Sequence, residues 1–384
     1  MKNRIHWVRQ NCRLLAAISE EFKREQPFAG LTIGTAIHLE PKTVALLLTL
    51  QDGGAKIVST GNLNSTQSST IAYLQQHGVT VIGDVTRDAD EHWRCLGMIL
   101  DHEPELLLDN GGQLFDLYRQ RPYGTLLGGT EETTSGRMAL EPLRDQLQVP
   151  ILVINDSPIK QFAENEHAVG QSVLESYMRI TNRMTNGQRV SIFGYGACGT
   201  GVAANFRNAN AKVSVFDNVP VKRLRAHLHG YDTPSRDVAI STADFIVTVT
   251  GGKDIIVAAD LDLLKDGAML ANAGHFPLEI DVQGLIESDK VARCVPFEDG
   301  IESLHLTDGR VVHLITHGHM INLAGPRPLG NSIESMDLGF ALQARCLEAV
   351  ACSAVAAESC VVPVPDNIDA QVSNAYLDIC YGDH

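Results

Sequence analysis

Residues 190–201 read VSIFGYGACGTG, and the reading of this stretch decides the fold. The apolar run Val190–Phe193 enters Gly194, Gly196 and Gly199 in the spacing GxGxxG. The flanking residues complete a pattern. GTGVAANFRNAN (199–210) has the composition of a helix, KVSVF (212–216) that of a second strand, and Asp217 closes that strand. Glycines allow the tight turn and let a pyrophosphate approach the N-terminus of the following helix. An acid about 20 residues past the glycines bonds the adenosine ribose hydroxyls of a dinucleotide. The stretch therefore predicts a Rossmann unit, and a carboxylate at Asp217 favours NAD over NADP. Lys222 and Arg223 lie close enough in sequence to accept a 2′-phosphate, and a glycine turn that merely packs helix on strand is the plainer alternative.

Outward from this point the chain alternates. GLTIGTAIHLE (30–40), AKIVSTG (55–61), VTVIGD (79–84), ELLLDNGG (105–112) and VPILVIND (149–156) read as strands. TVALLLTLQDGG (43–54) and TIAYLQQHG (70–78) read as helices between them, and residues 6–25 as a helix before them. A helix over roughly 166–186 leads into the glycine-rich stretch, and DFIVTVTG (244–251) and GAMLANAG (267–274) continue that second series. FALQARCLEAVACSAVAAESC (340–360) reads as a final helix. Strands alternating with helices predict parallel sheets with crossover helices. The fold class is therefore α/β, with two doubly wound, Rossmann-like parallel-sheet domains. The first, a substrate domain at 1–165 completed by 331–384, receives the NAD-binding domain at 172–325 as an insert, with hinges near 156–171 and 325–337.

Length and composition agree with two domains. The chain has 384 residues, 44% of them hydrophobic and 20% charged, which is ordinary globular composition. A net charge of -15 argues against a nucleic-acid or anionic-membrane partner. MKNRIHWVRQNCRLL (1–15) has no apolar core for a signal peptide, and no run approaches the roughly 20 apolar residues of a membrane span. Eight scattered cysteines without a CxxC predict reduced thiols in a cytoplasmic protein and no metal site.

Polar clusters close the strands of the first domain: HLEPK (38–42), GNLNSTQ (61–67), DNGG (109–112), GGTEETTSG (128–136) and NDSPIK (155–160). Any one is readily a turn or a cap. Five in a chain with an NAD fingerprint favour a polyhydroxylated substrate. At this point the sequence resembles the adenosylhomocysteinase (S-adenosyl-L-homocysteine hydrolase) family, from about residue 10 to about residue 370. NSTQ, GGTEETTSG, VINDSPIK, FGYGACGTG, TGGKDII, NAGHFPLEID and INL fall in the family's order, and HLEPKT is similar to the form in archaeal and thermophilic members.

The resemblance implies an NAD-dependent reaction on a small nucleoside. C3′ of the ribose is oxidised, the 5′ substituent is eliminated, water adds, and the 3′-hydroxyl is restored. It implies Lys160 and Glu164 at the 3′-hydroxyl proton, His38 and Asn110 near the 5′ side, and His275 among the catalytic residues. Glu132 would bind ribose hydroxyls with Asp109 at the rim. Glu40 and Lys42 would face the purine edge, and Asn62, Ser65 and Gln67 would lie on the substrate side. Thr133, Thr134, Ser135 and Asn165 would reach the cofactor with His275 and Asn322. Gly194, Gly196, Ala197, Cys198, Gly199, Thr200 and Gly201 would cradle its phosphates, with Asp217 at its ribose. Thr250, Gly251, Gly252, Ala273 and Gly274 complete the cofactor set. A homotetramer or homodimer is also implied.

The chain departs from the family at informative places. The second of two aspartates is Asn110, an amide that cannot exchange a proton near neutrality. The aspartate after the lysine is Glu164, one methylene longer, and a shift of about 1 Å can cost on the order of 10²-fold. A cysteine near the nicotinamide is Val169, and AGPRPLGNSIESMD (324–337) replaces a Gly-His-Pro loop. Three functions remain open at this level. One is hydrolysis of S-adenosylhomocysteine to adenosine and homocysteine. Another is a changed substrate or outcome, such as a nucleoside 5′-dehydratase of an antibiotic pathway or an S-inosylhomocysteine hydrolase. The third is a silent NAD-binding regulator.

Overall fold

The apolar runs become the strands of two seven-stranded sheets. The computed structural model describes residues 2–63, 65–297 and 300–382, so Asn64 of the NSTQ motif lies outside the described residues. The chain divides into two units, Met1–Gln161 with Ile333–His384, and Phe162–Ser332.

The first unit carries β1 (Thr32–Ile37), β2 (Lys56–Gly61), β3 (Thr80–Ile82), β4 (Leu106–Asp109), β5 (Gly128–Glu131) and β6 (Ile151–Val153). The second carries β7 (Arg189–Phe193), β8 (Lys212–Phe216), β9 (Phe245–Thr248), β10 (Met269–Asn272), β11 (Val291–Phe297), β12 (Ile301–Leu306) and β13 (Val311–Ile315). β14 (Val362–Pro363) returns to the first sheet.

The first sheet has the order β14-β6-β5-β4-β1-β2-β3, parallel throughout. Its winding reverses at β1, which has β2 on one side and β4 on the other. Loops leaving adjacent strands at such a point diverge and open a crevice at the carboxyl ends. Both faces of a parallel sheet are covered, which explains the continuous Leu106–Leu107–Leu108 run, fully buried in β4. Gly129 is required beside it, since a Cβ there would stand 1.8 Å from the Leu107 carbonyl oxygen.

The second sheet has the order β11-β12-β13-β10-β9-β7-β8. Its reversal lies at β7, between β8 and β9, where the glycine-rich stretch leaves the sheet. β12 runs antiparallel to β11 and β13, an edge meander that the repeating strand-helix reading did not specify.

The helices differ from expectation at their ends. The first is two helices, Lys2–Asn11 and Arg13–Glu25, broken at Cys12. The segment over 166–186 is a π-helix, Lys160–Ala168, followed by an α-helix, Val169–Thr181, that stops where Asn182 turns left-handed at φ 48°. The last predicted helix begins earlier and ends earlier, at Ile333–Ala351. Ser353 and Val361 adopt positive φ, so the alanine-rich residues after 351 leave the helix and feed β14.

Helix Ile333–Ala351 is built into the first unit. Gln343 accepts from the Thr130 hydroxyl of β5 at 2.7 Å. The Asp337 carboxylate accepts from the backbone N–H groups of Leu14 (2.8 Å) and Leu15 (3.0 Å) at the start of helix Arg13–Glu25. All eight cysteines are free. No helix among the described residues is long and apolar enough to cross a membrane.

Asp337 thus caps a helix from a remote part of the sequence. Asp337→Ala is expected to cost about 1–2 kcal/mol, read as a lowered midpoint in thermal denaturation followed by circular dichroism.

Candidate active site

Polar side chains leave the carboxyl ends of β1, β2, β4, β5 and β6 and meet in the first unit. Lys160 Nζ donates to Glu132 Oε1 at 3.1 Å. The other oxygen of Glu132 accepts from Asn110 Nδ2 at 2.7 Å. Asn110 Oδ1 in turn accepts from Asn62 Nδ2 at 2.9 Å. All four residues are buried. Among the described residues Asn62 Oδ1 is a buried acceptor with no hydrogen-bond partner, the kind of atom that a ligand donor satisfies.

Electrostatics set the protonation states. Burial alone would raise the pKa of Glu132, but the Lys160 ammonium, the Asn110 amide and His38 together hold it below the usual carboxylate range. His38 follows β1, and its Nδ1 lies 2.5 Å from the Ser65 hydroxyl. Burial pushes His38 down to about 4, with Lys160 adding to the fall and Glu132 opposing it. The imidazole is therefore neutral at pH 7, and Ser65 orients it through Nδ1.

Glu40 and Lys42 form a buried ion pair at 2.9 Å around the start of helix Pro41–Asp52. Gln67 lies immediately before helix Ser68–Gln76.

Several residues expected at the site also hold local structure. Asp109, fully buried, is bound by its own loop: Oδ1 accepts from Asn110 N at 2.9 Å and Oδ2 from Phe115 N at 3.1 Å. It holds the turn before helix Gln113–Gln120. Thr133 caps helix Thr134–Leu140, accepting from Gly136 N at 2.9 Å, and donates to Glu131 at 2.7 Å. Its hydroxyl lies 3.0 Å from Ser135 Oγ, and Thr134 beside it is exposed. Lys160 contacts Glu132, whereas Glu164 accepts from Asn331 Nδ2 at 3.4 Å.

The second unit has the features of a dinucleotide cradle. Gly194 has φ +107°, and a Cβ there would stand 2.6 Å from the Val249 carbonyl oxygen. Gly199 packs on Gly194, where a Cβ would lie 2.0 Å from its carbonyl oxygen. A Cβ on Gly196 would enter open space at the start of helix Ala197–Asn208, the space a pyrophosphate needs. Ala197, Cys198, Gly199, Thr200 and Gly201 form the first turns of that helix. Asp217 accepts from Tyr195 N and Val219 N, each at 2.8 Å. Two carboxylate oxygens offer about four acceptor positions, so lone pairs remain for ribose hydroxyls.

On the far side of the reversal, Thr250 and Gly251 are pinned by Glu279, which accepts from both backbone N–H groups and from the Thr250 hydroxyl. Gly252 N donates to Thr250 Oγ1, Gly274 N to Asn272 Oδ1, and Ala273 N to the Thr248 carbonyl. His275 packs edge-on against Phe276. Asn322 Nδ2 donates to Ser172 Oγ at 2.9 Å, and its buried Oδ1 has no hydrogen-bond partner among the described residues. A carboxamide N–H suits that acceptor. Asn165 lies in the π-helical segment. The residues present fit NAD.

Two buried carboxylates were not singled out from the sequence. Glu131 and Glu279 each fasten the backbone of a site loop. The available signal was a glutamate closing a buried strand in Glu131–Glu132, and one in NAGHFPLEID.

The His38 shift has a definite sign. Its folded pKa lies below 6.5, so the unfolded chain binds the extra proton. Its stabilising contribution is full above about 6.5 and is lost as pH falls toward about 4. His38→Gln is expected to flatten the acid limb of the thermal midpoint between pH 4.5 and 7, measured against the unaltered protein.

Comparison with known proteins agrees with this geometry. Residues 2–123 match the family model described as S-adenosyl-L-homocysteine hydrolase, and residues 165–327 match the one described as S-adenosyl-L-homocysteine hydrolase, NAD binding domain. The S-inosyl-L-homocysteine hydrolase of Methanothermobacter thermautotrophicus is 35% identical, over 98% of this chain and 91% of its own. The adenosylhomocysteinase of Thermotoga maritima is 37% identical, over 98% of this chain and 93% of its own. With an NAD-binding Rossmann unit and near-complete coverage by such relatives, this chain belongs to the S-adenosyl-L-homocysteine hydrolase family.

Proposed function

We propose that this chain hydrolyses a nucleoside 5′-thioether, S-adenosylhomocysteine, to adenosine and homocysteine. The observation that carries the reading is the buried run Lys160–Glu132–Asn110–Asn62. When bound, NAD supplies reversible acceptance of hydride at the ribose C3′. Glu132, held charged, accepts from ribose hydroxyls. Lys160 donates to Glu132 as an ammonium; passing that proton to Glu132 frees its amine to take the 3′-hydroxyl proton, and the reverse transfers return it. Neutral His38, oriented by Ser65, serves the 5′ side, where elimination has lyase character and water addition makes the net reaction a hydrolysis. The intact run weighs against a silent regulator.

A second reading, hydrolysis of S-inosylhomocysteine, is equally compatible with the Glu40–Lys42 pair. Glu40 accepts from a 6-amino group, whereas Lys42 donates to a 6-oxo group, so the two bases compete for one ion pair. Eight free cysteines suit the reducing cytoplasm. The charge of -15 speaks against nucleic acid and anionic membranes. Val221, Leu224 and Leu228 form an exposed apolar stripe on helix Pro220–Leu228, which supports a homodimer or homotetramer.

The test is purified protein with NAD and either thioether, read by thiol release and product mass. Thiol release from S-adenosylhomocysteine at the higher kcat/KM supports the first reading, and preference for the inosyl compound supports the second. A stable unsaturated nucleoside in place of hydrolysis products overturns both. Asn110→Asp sets a second carboxylate against Glu132, 2.7 Å from the present amide nitrogen. One of the two then keeps a proton, and hydrolysis of S-adenosylhomocysteine is expected to rise with a new inflection in its pH profile. Unchanged rate and profile would leave Asn110 a hydrogen-bond spacer.

A further inference from the structure

Two fully buried carboxylates sit side by side below the candidate ribose site, and no step above uses either. Asp109 and Glu131 are the last residues of β4 and β5 and are register partners in that parallel pair. Burial pushes Asp109 up to about 7. Burial, and then the charge of Asp109, push Glu131 well above the usual carboxylate range. Apolar residues would fill these positions at lower cost.

The geometry points to a task that offsets the cost. Glu131 Oε1 accepts from the backbone N–H of Thr133 at 2.7 Å, from the Thr133 hydroxyl at 2.7 Å and from Gly111 N at 3.1 Å. Glu131 Oε2 accepts from Gly112 N at 2.9 Å. Gly111 and Gly112 take φ +116° and +78°, a conformation that aims successive N–H groups at one anion. Room for the carboxylate exists because residue 136 is glycine, where a Cβ would stand 2.1 Å from Glu131 Oε1. One carboxylate therefore ties the loop carrying Asn110 to the loop carrying Glu132. Every hydrogen-bond partner given for Glu131 is a donor, so the loops are arranged for an ionised carboxylate even though burial opposes its charge. Asp109 secures the same turn from the other strand through Asn110 N and Phe115 N.

We propose that Glu131 is a positioning residue for the reaction, a clasp that sets the 2.7 Å contact between Asn110 and Glu132. This rests on the reading that Glu132 and Asn110 serve the nucleoside.

The test is a double-mutant cycle on the full-length, NAD-loaded protein. Glu131→Gln, Glu132→Gln and the double variant are compared for kcat, KM, NAD content and thermal midpoint. Glu131→Gln is expected to lower kcat on the order of 10- to 100-fold with NAD content retained. In the Glu132→Gln background the same change is expected to cost less than about 3-fold, because its effect passes through Glu132. Gly136→Ala, which crowds the carboxylate without removing it, is expected to act like Glu131→Gln and serves where that variant does not fold. An equal loss in both backgrounds, or no loss, overturns the clasp while the proposed function stands. An unaltered protein that turns over neither thioether overturns the proposed function and the clasp with it.

Discussion

Burying the Glu132 carboxylate is the constraint around which the first unit is organised. An isolated carboxylate removed from water neutralises itself or destabilises the fold. Here the Lys160 ammonium and the Asn110 amide each take one oxygen, so the charge survives burial. Those partners come from the ends of different strands, which makes the site a property of the sheet rather than of a loop. Asn62 completes the run by fixing which end of the Asn110 amide faces Glu132: its own Nδ2 donates to Asn110 Oδ1, leaving Asn110 Nδ2 for the carboxylate.

The sheets explain why both polar clusters lie where they do. In each unit the strand at the reversal ends in a motif of the candidate site: His38 after β1, and Gly194 to Gly199 after β7. The neighbour across the reversal supplies the complement, Asn110 after β4 and Thr250 to Gly252 after β9. The loops are fastened by the same device, a buried glutamate accepting from consecutive backbone N–H groups, with a glycine making room. Glu131 pairs with Gly136 in this way, and Glu279 with Gly274, where a Cβ would stand 1.9 Å from the carboxylate.

Much of this was legible in the sequence because it follows from local chemistry. A GxGxxG after an apolar run and before a small-residue helix has few conformations open to it, and β7, its helix and Asp217 lie as that pattern demands. The strand ends of the first unit were equally readable, since apolar runs stop where polar clusters begin. What resisted reading is which partner each polar group takes and where packing ends a helix. The resemblance puts Asp109 at the rim of the ribose site, and it did not signal that Asp109 also accepts from N–H groups of the turn it closes. Thr133 matched a family motif, and the helix it caps takes its hydroxyl. The break at Cys12 and the exit from helix after Ala351 are set by packing and by left-handed residues that composition does not signal.

The residue that most sets this chain apart from the family pattern can now be weighed physically. A charged aspartate at 110 would put two carboxylates in contact in a buried site, and like charges that close do not both ionise. An arrangement of that kind carries a shared proton, available for transfer but titrating near the working pH. The amide of Asn110 removes both the proton and the repulsion, and leaves Glu132 ionised with Lys160 as its counterion. The exchange trades a proton source on one side of the site for a fixed charge on the other. In the reaction proposed above it would keep a fixed charge on the 3′ side, beside Lys160, and leave the proton demand of the 5′ side to His38, whose neutral ring has no acidic proton to give at pH 7. Elimination needs that proton only if the leaving group is a poor anion. A thiolate leaves readily, so a 5′-thioether is the substrate class that tolerates Asn110 best.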